Sequence, residues 1–320
     1  MNRRITLLAL LLAAGAAAAQ TYPDRPVRLI AAQSAGSSLD TITRIVAPRL
    51  SEMLGQQFVI DNRGGAGGII GIELAARAAP DGYTLLVGAP SSMILSRFAY
   101  TKLAFDSARD FDPVSLIVNA ESVMVVHPGV AAKSVKEFIA LARAKPRSFN
   151  MGSAGVGASS HLAGIMFTSL AGIDSVHVPY KGGGPMAAAI VAGEAQWAIS
   201  PAAALVGHIK AGRLRALGIS SAVRSPLMPE LPTIAESGVP GYEYTSWNGL
   251  FLPKGAPRAV IAKLHSTTQK ALAEPDVRQQ YANQGLSPLG SAGPDEFRKF
   301  FHADFARMAK LAKVAGIKPE

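Results

Sequence analysis

The 320-residue chain contains no cysteine. That absence excludes a disulfide framework, a thiolate metal site and lipid attachment through an N-terminal cysteine, so stability has to come from burial alone. Beyond the N-terminus no apolar run approaches the roughly 20 residues of a membrane-spanning helix. The chain has no Gly-Lys-Ser/Thr and no Gly-x-Ser-x-Gly elbow. Gly65-x-Gly67 is followed by Ile70, and Gly155-x-Gly157 by Ser160, where a dinucleotide fingerprint requires Gly or Ala. His127, His161, His177, His208, His265 and His302 never recur at metal-ligand spacing. The expectation is therefore no cofactor, no metal and no catalytic constellation. Lys and Arg exceed Asp and Glu by 32 to 22, but the basic residues are scattered. The densest cluster, Lys133 to Arg147, follows one predicted helix without interleaved aromatics, which reads as a solvated basic surface drawing small anions inward and not as a nucleic-acid footprint.

Arg3 and Arg4, the apolar stretch Ile5 to Leu12 and Ala17-Ala18-Ala19-Gln20 make the three-part pattern of a secretory signal, with cleavage expected after Ala19. The remaining 301 residues (320 less 19) have room for two ordinary domains.

Four times an apolar strand runs into a loop of small residues that opens a helix: Leu29 to Ser38, Phe58 to Gly68, Phe149 to Ser160 and Val176 to Gly184. Each places unpaired backbone N–H groups at a helix N-terminus, where the dipole also favours negative charge. Around them, strands Pro26–Ala32, Phe58–Asp61 and Thr84–Gly88 alternate with helices Leu39–Gly55 and Ile69–Ala79. A second set follows: strands Ser122–Val126, Phe149–Met151, Ser175–Pro179, Gln196–Ile199 and Arg215–Ser220. With these alternate helices Ser134–Ala144, His161–Leu170, Pro185–Ala192 and Pro201–Ala211, with Pro185 and Pro201 at first helical positions. An extended segment, Tyr242–Leu252, and two helices, Pro257–Ala273 and Pro294–Ala315, close the chain. Alternation of this kind predicts an α/β fold of mostly parallel sheets flanked by helices. A sheet interrupted by a complete second unit and then resumed makes the chain cross between lobes twice, and ligands of such folds sit in the crevice at the strand ends.

Tyr22-Pro23-Asp24-Arg25-Pro26-Val27-Arg28-Leu29-Ile30, Asn62-Arg63-x-Gly-Ala66-Gly67-Gly68, Ala79-Pro80-Asp81-Gly82-Tyr83-Thr84-Leu85-Leu86, Ser160-His161-Leu162-Ala163-Gly164, Pro179-Tyr180-Lys181-Gly182, His208-Ile209-Lys210-Ala211-Gly212, Pro232-Thr233-Ile234-Ala235-Glu236-Ser237-Gly238 and Thr245-Ser246-Trp247 resemble the signatures of the Bug proteins. These are the extracytoplasmic receptors of tripartite tricarboxylate transporters. The resemblance implies a periplasmic, monomeric, type II-like binding protein: residues 20–121 and 243–320 as lobe 1, 122–242 as lobe 2, closing over a small organic carboxylate destined for membrane transporter subunits. It implies a first-lobe clamp of Ala35, Gly36, Ser37 and Ser38 with Gly65, Ala66 and Gly67. Gln33 and, from lobe 2, Ser153, Gly155, Ser159, Tyr180 and Ser200 complete the candidate site. The chain departs from the family in having Ala32-Gln33 in place of Pro-Phe, Ser37-Ser38 in place of glycines, and Ser200 near where an acid is frequent. Without that acid a ligand amine lacks a partner, so a mono- or dicarboxylate without an amine is expected.

Several residues have two readings. Asp40 is a helix cap or a ligand contact; Asn62 and Arg63 shape a turn or enter the cleft, and Lys181 is a further charged candidate. Ser159 caps a helix or, with His161, forms a nucleophile and base; Tyr180 and Trp247 pack at a lobe junction or stack on a ligand. A sensor component for a membrane kinase or chemoreceptor needs the same cleft, and a hydrolase is a third, weaker class. Hinges are expected at Asn119–Ser122 and Tyr244–Asn248.

Overall fold

The computed structural model of the protein describes residues 22–314, so the signal segment and Ala315 lie outside the described residues. The strands in chain order are β1 (Val27–Ala31), β2 (Phe58–Asn62), β3 (Thr84–Gly88), β4 (Phe111–Val126), β5 (Asn150–Ser153), β6 (Val176–Pro179), β7 (Trp197–Pro201), β8 (Arg215–Ile219), β9 (Thr245–Pro253) and β10 (Leu286–Pro288). The helices of eight or more residues are α1 (Ser38–Leu54), α2 (Ile69–Ala76), α3 (Val135–Ala144), α4 (Ser159–Ala171), α5 (Gly183–Val191), α6 (Arg258–Ala273), α7 (Pro275–Asn283) and α8 (Pro294–Val314).

Two sheets share one strand. In the first lobe the order is β2-β1-β3-β9-β4-β10, and in the second β8-β4-β7-β5-β6. β4 passes between them: Glu121 still faces Thr245 of β9, while Ser122 already faces Pro201 of β7. The return crossing lies beside it, because the Tyr244 amide bonds to the Ser220 carbonyl of the second lobe and Thr245 begins β9 in the first.

The sheets are mixed where alternation predicts parallel ones. β2-β1-β3 and β6-β5-β7 are parallel, whereas β4 runs antiparallel to β7, β8, β9 and β10. β4 carries the chain out to the second lobe and β9 carries it back, so the two run in opposite directions and pair antiparallel. β4 also begins at Phe111, well before the expected Ser122, because one buried strand of 16 residues serves both lobes.

Proline placement differs as well. Pro185 is the third residue of α5, a first-turn position whose missing N–H costs no helical bond. Pro201 ends β7 and precedes a single 3-10 turn, Ala202–Ala204. Periodicity did not reveal α7 or β10, although Pro275 with Asp276 one residue on is a helix-start signal. Trp247 settles as packing: it is buried among Phe251, Phe297, Phe300 and Phe301, and its indole N–H donates to Asp304 at 2.8 Å. Strand alternation then turns its neighbours Ser246 and Asn248 to the opposite face of β9.

Candidate functional site

That opposite face closes a cavity between the lobes. It is lined by Gln33, Ser38 and Leu39 at the start of α1, Ala89 after β3, Ala120 of β4, and Ser246 and Asn248 of β9. From the second lobe come Ala154, Ser159, Gly183, Ser200, Pro201 and Ala204. The volume open to the centre of a water molecule is only about 20 Å³, room for about one water. The loops meet across the cleft. A Cβ on Gly67 would stand 2.8 Å from the Val156 carbonyl oxygen, and one on Gly184 2.8 Å from that of Ala35.

Three helices start at this cavity, and they start differently. α1 is capped: Ser37 in extended conformation accepts from the Asp40 N–H at 3.3 Å, and the Asp40 carboxylate accepts from the Gly36 N–H at 2.9 Å. Burial pushes the Asp40 carboxyl up, but the Arg44 ion pair at 2.9 Å and the Gly36 and Asn62 hydrogen bonds outweigh it and hold the group below the usual range. Asp40 is therefore a capping residue, and the Gly36 amide is engaged. The Ser38 and Leu39 amides, in the first turn, have no partner within the helix.

α4 and α5 have no side-chain cap. The N-cap of α4 is Ala158, which corrects the capping role read for Ser159: that serine is the first helical residue, and it faces the cavity. Ser160 Oγ instead accepts from the Ala154 N–H at 2.8 Å, and His161 Nδ1 from the Gly157 N–H at 3.1 Å. α5 opens at Gly183 with Gly182 at φ 122°. Three helix N-termini, two of them without a side-chain cap, thus border one space, an arrangement that favours an anion.

Gln33, Ser38, Ser159 and Ser200 of the expected residues come together at the cavity, whereas Ala35, Gly36, Ser37, Gly65, Ala66, Gly67, Ser153, Gly155 and Tyr180 lie outside its lining. Gly67 stands against Val156 of the second lobe while Gly65 packs on Ile70 of its own, and Arg63 pairs with Asp61 at 2.8 Å. Lys181 is exposed and outside the lining. Ser153 is fully buried beneath its loop, its hydroxyl 2.6 Å from His177 Nε2; His177 stacks on His161 at 4.2 Å. Burial foremost, with the neighbouring His177 adding to it, lowers the His161 pKa to about 4, and burial also lowers that of His177. Away from the cavity, with Ser153 buried and His177 half-buried, this serine and imidazole pair braces the loop.

Sequence reasoning missed Ser246 and Asn248, which sit in a strand read only as extended; their period-2 alternation with Trp247 is the signal that finds them. The lining contains no Asp, Glu, Lys, Arg or His. Two of its side chains, Ser38 (6% exposed) and Asn248 (3% exposed), have Oγ and Oδ1 buried without a hydrogen-bond partner. An unpaired buried polar atom costs about 1–3 kcal/mol, a deficit that a bound group relieves. Among the described residues no cluster of three or more His, Asp or Glu is placed to hold a metal ion, and no helix is long and apolar enough to cross a membrane.

The family model described as tripartite tricarboxylate transporter family receptor matches residues 42–317. The Protein BugT of Bordetella pertussis (strain Tohama I) is 33% identical over 323 residues, covering 99% of each chain. Among solved structures, R. palustris Rpa4515 with adipate superposes with a TM-score of 0.91 at 35% identity, over 93% of this chain and 100% of that one. MatC (Rpa3494) from Rhodopseudomonas palustris with bound malate gives 0.85 at 28% identity, over 91% and 99%. The fold is that of these two-lobed periplasmic binding proteins, and with a family match across most of its length the chain belongs to the tripartite tricarboxylate transporter receptors.

Proposed function

We propose that this chain is exported to the periplasm, captures a small organic carboxylate between residues 20–121 with 243–320 and residues 122–242, and hands it to membrane subunits of a tripartite transporter. The observation that carries this reading is the convergence of three helix N-termini on one interlobe cavity that lacks any charged side chain. Carboxylate oxygens accept from the first-turn amides of α1, α4 and α5 and from the hydroxyls of Ser38, Ser159 and Ser200, while Gln33 covers the mouth. Adipate and malate, named with two relatives, are both dicarboxylates, which supports the ligand class. No nucleophile with an adjacent base and orienting acid borders the cavity, so reversible binding without turnover is the expected behaviour, by a monomer.

A thermal-shift screen of organic acids tests the reading. A ligand that binds only the folded state adds roughly 2.7 kcal/mol at 100 times its dissociation constant. A saturable rise in melting temperature with at least one mono- or dicarboxylate, recovered unchanged afterwards, is expected. No response to any carboxylate, or conversion of the bound acid to product, overturns it.

A further inference from the structure

Among the described residues, the unpartnered buried polar atoms that belong to the cavity lining are Ser38 Oγ and Asn248 Oδ1. They ask for different things. A serine hydroxyl donates, so Ser38 is satisfied by a carboxylate oxygen, as are the amides beside it. Asn248 Oδ1 only accepts, and a carboxylate, which also only accepts, cannot satisfy it. Rotating the amide exchanges its oxygen and nitrogen but leaves one acceptor to be met within the same buried side chain. The hydroxyls of Ser200 and Ser246 share the cavity, yet neither bonds to it.

The missing donor is a ligand O–H or N–H. A charged amine is disfavoured, since no Asp or Glu lines the cavity to pair with it and an unpaired buried charge is heavily penalised. Resting on the carboxylate-receptor reading above, we infer that the ligand carries an alcohol hydroxyl besides its carboxylate, and that Asn248 is the specificity-determining residue that accepts its proton. The first lobe supplies Asn248 from β9, three residues past the chain crossing at Thr245, so the group that reads the hydroxyl sits beside the proposed hinge.

The test is calorimetry of matched pairs: succinate and malate, adipate and 3-hydroxyadipate, butyrate and 3-hydroxybutyrate. In the wild-type protein the hydroxylated member of the pair of suitable length is expected to bind about 10- to 100-fold tighter, the range of one unsatisfied buried group. Asn248→Leu, of similar size, is expected to erase the difference, so that the hydroxylated and unsubstituted members of a pair bind alike. Equal affinities within each pair in the wild-type protein, as a water bound at Asn248 would give, overturn the hydroxyl assignment and leave the carboxylate reading intact. A preference that persists in Asn248→Leu overturns the role of Asn248. Failure of all six acids to bind overturns the carboxylate reading and this inference with it. The wild-type comparison needs no variant, so it stands even where Asn248→Leu melts early by circular dichroism.

Discussion

The first-lobe and second-lobe helices reach the same cavity with opposite preparation. α1 arrives with a complete cap, Ser37 on the Asp40 amide and Asp40 on the Gly36 amide, with Arg44 holding the carboxylate charged. α4 and α5 arrive with Ala158 and Gly182 at their N-caps and no side chain on their first turns. α3, which begins away from the cavity, is capped in the ordinary way by Ser134, whose Oγ accepts from Glu137 N–H at 3.2 Å. In the second lobe the two long helices that start at the cavity are uncapped, while α3, which starts away from it, is capped. An omitted cap costs about 1 kcal/mol per helix. The difference teaches that the first turn of α1 is already partly satisfied by its own side chains, whereas those of α4 and α5 have no side-chain acceptor.

The largest effects are expected from substitutions that keep the two regions apart. Gly67→Val puts a β-branched residue at φ 64° with its Cβ 2.8 Å from the Val156 carbonyl, and Gly184→Val meets Ala35 O at the same distance. Both are expected to weaken ligand binding more than 100-fold by calorimetry, because partial closure leaves the second-lobe amides out of reach. Small-angle scattering should then show no decrease in radius of gyration on adding ligand, the decrease expected of the wild-type protein if it hinges at Asn119–Ser122 and Tyr244–Asn248. Retained affinity in both variants would show that the lobes need not meet.

Next is discrimination against amines. Paired titrations of succinate with aspartate and of glutarate with glutamate are expected to favour the amine-free acid by about 100-fold, since the cavity offers no carboxylate. Tighter binding of the amino acids would relocate the second-lobe contacts.

A smaller effect sharpens the first-lobe side. Asp40→Asn removes an ion pair and a charge-assisted hydrogen bond to Gly36, so thermal or urea unfolding at neutral pH is expected to show a loss of about 1–2 kcal/mol. The sign with pH follows from a folded-state pKa held below the unfolded one: the contribution is complete above the unfolded value, near 3.9, and disappears as pH falls through the folded value. Asp40→Asn should therefore narrow its deficit under acid, and a deficit constant down to pH 2 would assign the loss to packing. The smallest effect is the control, Ser134→Ala, expected to cost about 1 kcal/mol of stability with no change in ligand affinity.

The helix starts around the cavity were legible before the fold was known. Small-residue loops before apolar helical runs located the starts of α1, α4 and α5, because an N-terminus announces itself locally. The loop at Gly65 to Gly67 has the same composition but lies outside the cavity lining, with Gly67 against Val156 of the second lobe. Tyr180 and Ser153 were drawn in by adjacency in sequence and lie behind the loops. Ser246 and Asn248 were overlooked because a strand buried on both faces looks uniform, and which face meets the ligand depends on where α8 packs against Trp247.

The sequence alone determined the α/β class, the starts of α1 and α3, and the absence of metal-binding, thiol and nucleophile motifs, since these depend on residues within one turn or strand of each other. Only the tertiary structure decided which of the four loops converge, that β4 serves both lobes, and that Asn248 Oδ1 is left without a donor. Those outcomes come from pairing segments far apart in the chain, such as Glu121 with Thr245 and Ser122 with Pro201. No local pattern encodes them, because burial of both sheets at once selects them.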